Sequence, residues 1–136
     1  MEDTIFDKIL RREIPAEIVY EDEETLAFLD IAPNNPGHTL VIPKSSSRNI
    51  FTISEESWLA VMKTVRRLAP LVRDAVGAQG VNIAMNNEAA ANQEVLYTHL
   101  HIIPRFPGDN VLRFVKKDYK EGEMREVAEK IRSAVG

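Results

Sequence analysis

Apolar positions along this chain change their period several times, and each change predicts an element. Ile5, Phe6, Ile9 and Leu10 fall at helical spacing between Thr4 and Arg12. Thr4 or Asp3 is placed to cap that helix and Pro15 to end it. From Glu17 to Glu21, Ile18 and Tyr20 alternate with Val19, and the apolar run Thr25 to Leu29 follows the polar turn Asp22-Glu23-Glu24. The pair predicts a β-hairpin. Asp30 to Gly37 carries Pro33, Asn34, Asn35, Pro36 and Gly37 and predicts a loop. In His38 to Pro43, His38, Leu40 and Ile42 alternate with Thr39 and Val41. Both faces are largely apolar, which predicts a central strand. Lys44 to Arg48 is a polar, serine-rich connector too short to divide domains.

The longest helical pattern begins at Ser54, a suitable N-cap, with Glu55 and Glu56 in the first turn. Trp58, Val61, Met62, Val65, Leu68, Ala69, Val72, Ala75 and Val76 form a wide apolar face, and Gly77 is placed as the C′ residue. Pro70, inside the pattern, predicts a kink or local break. Val81 to Met85 reads as a strand, Asn86 to Asn92 as a small-residue loop, and Gln93 to Arg105 as a strand. Gly108-Asp109-Asn110 marks a turn. Tyr119 to Val135 reads as a charged helix with Met124, Val127, Ala128, Ile131 and Val135 on one side. Hairpins without regular βαβ alternation predict an α+β fold, with an antiparallel sheet of about five strands covered by the long helix. Residues 1–136 form one expected domain, the helix at about 119–135 being an extension of it.

Composition narrows the function. The net charge of −4 gives no basis for nucleic-acid or membrane-surface binding, although a mononucleotide can still bind through local donors. The absence of cysteine removes disulfides, thiolate zinc sites and cysteine nucleophiles. Met-Glu-Asp-Thr has no apolar signal core, and no apolar run approaches the ~20 residues needed to span a bilayer. A cytoplasmic location is expected.

The chemistry concentrates in Gln93-Glu94-Val95-Leu96-Tyr97-Thr98-His99-Leu100-His101-Ile102-Ile103-Pro104-Arg105, which holds two of the three histidines. On a strand, Tyr97, His99, His101 and Ile103 share one face and Thr98, Leu100 and Ile102 the other. Such a pair of imidazoles has three readings. They can be ordinary half-buried histidines. With His38 they can form a zinc site, for which Asp30 and Glu94 are the available orienting carboxylates. They can also act on phosphorus: a neutral imidazole attacks, while a second imidazole, Gln93 and the Asn86/Asn87 pair hold the phosphoryl oxygens. The chain has no glycine-rich phosphate loop and no acidic cluster suited to magnesium, which favours metal-free chemistry.

Pro36-Gly37-His38-Thr39-Leu40-Val41-Ile42-Pro43-Lys44, then Asn86, then Gln93-x-Val95-x-x-x-His99-x-His101-Ile102-Ile103-Pro104-Arg105 resemble the histidine triad superfamily of nucleotide hydrolases and transferases. Ile5-Phe6-x-Lys8-Ile9, Ile14-Pro15-Ala16 and Phe28-Leu29-Asp30-Ile31-x-Pro33 resemble its branch of small nucleotide-binding hydrolases. The likeness covers roughly residues 4 to 105. It implies an α+β homodimer joined through the sheet and long helix. It also implies a purine nucleotide substrate with a phosphoramidate or phosphoanhydride leaving group, split at the α-phosphate through a nucleotidyl-histidine. By it, His99 is the nucleophile, with His101 and His38 as its catalytic neighbours. Asp30 receives the ribose, Asn86 and Gln93 lie near the phosphate, and Phe6, Phe28 and Ile31 surround the base. No cofactor is required, and incidental zinc at the histidines is compatible with it.

Two positions depart from the family pattern. Tyr97 replaces the first motif histidine. Its carbonyl can still orient His99, but a phenol of reference pKa ~10 is no base near neutral pH, although it can still donate a hydrogen bond. Glu94 stands where small hydrolases of the family often carry serine. A carboxylate there repels an anionic leaving group or favours an amine. The alternative to an enzyme is a nucleotide-binding sensor or scaffold that keeps the pocket with little catalysis.

Overall fold

A computed structural model describes residues 2–111 and 114–136. Helix α1 (Ile5–Leu10) leads into strands β1 (Ile18–Glu21), β2 (Thr25–Leu29) and β3 (Thr39–Pro43). Helix α2 (Glu55–Ala75), β4 (Gly80–Ala84), a 3-10 turn (Ala89–Ala91), β5 (Leu100–Arg105) and helix α3 (Glu123–Val135) follow. The strands form one antiparallel sheet in the order β1-β2-β3-β5-β4. The expected five-stranded α+β architecture with a long covering helix is what is observed.

Period-two alternation divides the core. Leu26, Phe28, Leu40, Ile42 and Tyr97 face Phe6 and Ile9 of α1. Ala27, Val41, Leu100 and Ile102 face Val61, Val65 and Leu68 of α2. Thr4 and Asp7 form a reciprocal cap that starts α1. The helix ends at Leu10, earlier than Pro15 requires, because Arg12 turns into the left-handed region at φ +59°. Ser54 caps α2 by accepting from the Ser57 N–H. Gly77 closes it at φ +69°: its N–H donates to the Asp74 carbonyl and that of Ala78 to the Arg73 carbonyl, a Schellman arrangement.

Three expectations need correction. α2 runs unbroken through Pro70, which lies on the solvent side; the missing N–H deprives only the Arg66 carbonyl, at an exposed residue that water reaches. α3 begins at Glu123 after Gly122 at φ +78°, later than Tyr119, and none of its residues is buried. Strand pairing of the histidine segment begins only at Leu100. Val41 pairs with Leu100, so an extended register would set Thr98 against Pro43, which has no N–H to give. The segment bonds instead to the connector: the Thr98 N–H donates to the Ser47 carbonyl at 2.8 Å, and the two hydroxyls lie 2.7 Å apart.

Candidate active site

The loop between β2 and β3 places Asp30 and His38 together. The Asp30 N–H donates to the His38 carbonyl at 2.9 Å, and the His38 N–H donates to the Asn35 carbonyl at 3.0 Å. Gly37 makes this possible. At φ +96° it sits so close that a Cβ would lie 2.9 Å from Val76 and 3.2 Å from Pro104. Asn35 ties the loop to β5 by donating to the Pro104 carbonyl at 2.9 Å.

Hydrogen bonds assign the imidazole protons. The Asn34 N–H donates to His38 Nδ1 at 3.0 Å, so His38 carries its proton on Nε2. That proton is donated to His101 Nδ1, 2.8 Å away. His101 therefore carries its own on Nε2, which is buried and has no partner among the described residues. His99 donates from Nδ1 to the Tyr97 carbonyl at 2.6 Å, so its Nε2 keeps the lone pair. The His99 and His101 rings are 5.0 Å apart, and the edge-to-face contact of Phe6 with His99 has the same centroid distance. The site thus presents one nitrogen acceptor beside one N–H donor.

Burial favours the neutral rings. His99 titrates below its ordinary range because of desolvation, opposed by the Tyr97 carbonyl, Asp30 and Glu94. His38 is lowered by burial, with Asp30 opposing. His101 is pushed down to about 4 by burial and then by its two imidazole neighbours. At pH 7 all three rings are neutral.

Two hollows meet here. An apolar cleft of about 290 Å³ is walled by Phe6, Ile9, Phe28, Ile31 and Leu40 and closed by Asp30, Glu94, His99 and His101. A polar hollow of about 270 Å³ shares Asp30, Glu94, His99 and His101 and adds His38, Asn34, Asn86 and Asn92. Among the described residues neither hollow is lined by lysine or arginine. Asp30 spans the junction, accepting from the Ala32 N–H at 2.9 Å and lying 3.8 Å from His38 Nε2. Asp30, His38 and His101 also bring ligand atoms within 4.8 Å of one another, tightly enough to share a divalent ion.

The structure therefore gathers His38, His99, His101, Asp30, Asn86, Glu94, Phe6, Phe28 and Ile31 around these hollows, Ile31 as an exposed rim residue. Tyr97 and Gln93 line neither. Tyr97 is fully buried, with its ring near Phe6 and its hydroxyl donating to the Pro43 carbonyl. Gln93 donates both amide protons, to the carbonyls of Arg48 at 2.7 Å and Val95 at 3.0 Å. Its oxygen accepts from Asn49 Nδ2 at 3.0 Å and from the Glu88 N–H at 2.8 Å. Sequence reasoning missed Asn34 and Asn49. Asn34 acts through its backbone, which leaves no side-chain signal. Asn49 is a wholly buried amide in an unremarkable polar connector.

The HIT domain model matches residues 11–108. An uncharacterised HIT-like protein of Methanocaldococcus jannaschii is 42% identical over 94% of this chain and 98% of its own length. The purine nucleoside phosphoramidase of Escherichia coli is 36% identical over 75% of this chain and 87% of its own. The crystal structure of a Streptococcus mutans protein superposes with a TM-score of 0.92 at 38% identity, covering all of this chain and 87% of that one. With its two-lobed cleft and paired imidazoles, this chain belongs to the HIT domain family.

Proposed function

We propose that this protein is a nucleotide hydrolase or transferase that cleaves purine nucleoside phosphoramidates or dinucleoside polyphosphates at the α-phosphate. The observation that carries the reading is the neutral His99 Nε2 acceptor facing a cleft beside the His101 Nε2–H donor, which has no partner among the described residues. The purine nucleoside phosphoramidase and the adenosine 5′-monophosphoramidase among its relatives support the same class.

The purine lies in the apolar cleft between Phe6, Phe28 and Ile31, and Asp30 accepts hydrogen bonds from the ribose hydroxyls. The α-phosphoryl group sits at the junction. His101 Nε2–H and Asn86 donate to its oxygens, as a developing phosphorane-like charge requires. His99 Nε2 attacks phosphorus and forms a P–N bond. The bond to the leaving group breaks, and its electron pair departs with that group. For a phosphoramidate whose bridging nitrogen is protonated, the product is a neutral amine. Water then attacks phosphorus and loses a proton to solvent. The P–Nε2 pair returns to His99 and a nucleoside monophosphate is released. The Tyr97 carbonyl holds the ring and takes up part of the imidazolium charge through Nδ1–H. His38, fixed by the Asn34 N–H, keeps the His101 proton on the substrate side. Gln93 and Tyr97 belong in this reading to the support of the site.

The chemistry uses no cofactor, and a divalent ion at Asp30, His38 and His101 would compete with it. A homodimer formed through β4 and α2 is part of the proposal. β4 is an edge strand, and Ile83 on it and Leu59 on α2 are exposed. Sedimentation at micromolar concentration tests that part. Turnover of an adenosine phosphoramidate tests the function, with AMP release expected. Tight AMP binding by calorimetry with no turnover of either an adenosine phosphoramidate or a dinucleoside polyphosphate would instead establish a binding module.

A further inference from the structure

Glu94 is common to three hollows: the apolar cleft, the polar hollow and an outer cleft of about 460 Å³ that leads away from them past Ile5, Val95 and Glu2. Its carboxylate has no hydrogen-bond or ion-pair partner among the described residues. Its field acts on the His99 ring, where it favours the charged form. The outer cleft offers no unengaged cation among the described residues that line it. Its Arg48 guanidinium is held by both oxygens of Glu88, at 2.8 and 2.9 Å. Its Asp3 is held by Arg11, at 2.8 and 2.7 Å. A group leaving from phosphorus on this side meets the Glu94 charge with no unengaged cation among the described lining residues to offset it.

We infer that Glu94 selects the leaving group by charge, excluding polyphosphate and favouring a phosphoramidate whose bridging nitrogen is protonated and leaves as a neutral amine. The inference rests on the proposed α-phosphate chemistry and deepens it. A second nucleotide or pyrophosphate brings several negative charges to a mouth where the carboxylates of Glu2 and Glu94 have no cation partner among the described residues. A phosphoramidate brings a nitrogen that leaves as a neutral amine once protonated. A carboxylate nearby stabilises that protonated nitrogen, raising the fraction of substrate ready to cleave. In the reaction the P–N bond breaks, its pair stays with nitrogen, and the proton already there makes up the amine. Glu94 is thus a specificity-determining residue, and no proton passes through it.

The test compares wild type, Glu94→Gln and Glu94→Asp on two substrates with the same AMP half: an alkylamine adenosine phosphoramidate and diadenosine triphosphate. Glu94→Gln should raise kcat/KM for the triphosphate relative to the phosphoramidate by about tenfold, the order of one partly screened charge contact. Glu94→Asp should keep the wild-type preference. Added salt should erode discrimination in the wild type and leave that of Glu94→Gln unmoved. The upper limb of the pH–rate profile should fall to lower pH in Glu94→Gln for the phosphoramidate alone. An unchanged substrate ratio with both compounds turned over would overturn the charge selection and leave the chemistry standing. A wild type silent on both compounds would overturn the underlying reading itself.

Discussion

Replacing Tyr97 by phenylalanine removes one oxygen from a site with no access to solvent. The lost atom is the donor to the Pro43 carbonyl, and the ring contact with Phe6 remains. A net intramolecular hydrogen bond contributes about 1 kcal/mol, and a buried carbonyl left without a partner costs about 1–3 kcal/mol. Tyr97 is 0% exposed, so water cannot easily replace the hydroxyl. The expected destabilisation is therefore about 1–2 kcal/mol, read from urea unfolding as a lower midpoint at unchanged slope. The chemistry should survive, because the atom that orients His99 is the carbonyl of residue 97, which phenylalanine retains. The expected change in kcat/KM is under about threefold, less than 1 kcal/mol. Loss of a hundredfold in kcat with unchanged stability would refute the reasoning, since it would put the phenol in the reaction. Wild-type stability would refute the hydrogen bond.

Gly37→Ala should cost about 2 kcal/mol or more and reduce turnover. Its Cβ meets Val76 at 2.9 Å in a left-handed backbone on the loop that carries Asn34 and His38, and thermal unfolding with a rate assay measures both. Asn49→Ala should cost about 1–3 kcal/mol by urea unfolding, because it leaves the Gln93 and Glu88 side chains short of a donor. The His101 pKa of about 4 in the folded chain lies below the ordinary 6.5. The unfolded chain therefore takes up the proton first as pH falls, and stability drops across that window. At pH 5 the loss from this one ring is about 2 kcal/mol, and His101→Asn should flatten the pH dependence of urea unfolding. Excess EDTA should leave turnover intact and micromolar zinc should inhibit, because the ion would take imidazole nitrogens that the reaction needs.

The sheet was readable because alternation in Thr39–Pro43 and Thr25–Leu29 is unbroken, with both faces buried. Ser54 and Gly77 announced the ends of α2 through their own chemistry. The clustering of His38 with His99 and His101 came from the family likeness together with period-two facing. The sequence was silent on what depends on main-chain atoms and solvent. Nothing in Pro70 says that its missing bond falls on the wet side of α2. Tyr97 shares a face with His99, yet pairing stops at Leu100, and the larger ring passes under α1 while His99 meets the cleft. Gln93, a natural phosphate donor by residue type, has both its protons given to backbone carbonyls. That is a fact about the folded connector at Arg48 and not about the glutamine.

The central claim is that His99 Nε2 becomes covalently nucleotidylated. Rapid quenching of the reaction with an adenosine phosphoramidate, followed by peptide mass spectrometry, tests it most directly. The account predicts one adenylyl group on the peptide containing His99, formed and lost at rates compatible with turnover and absent from His99→Ala, which should retain AMP binding. An adenylyl group on another residue, or full turnover by His99→Ala, would contradict it.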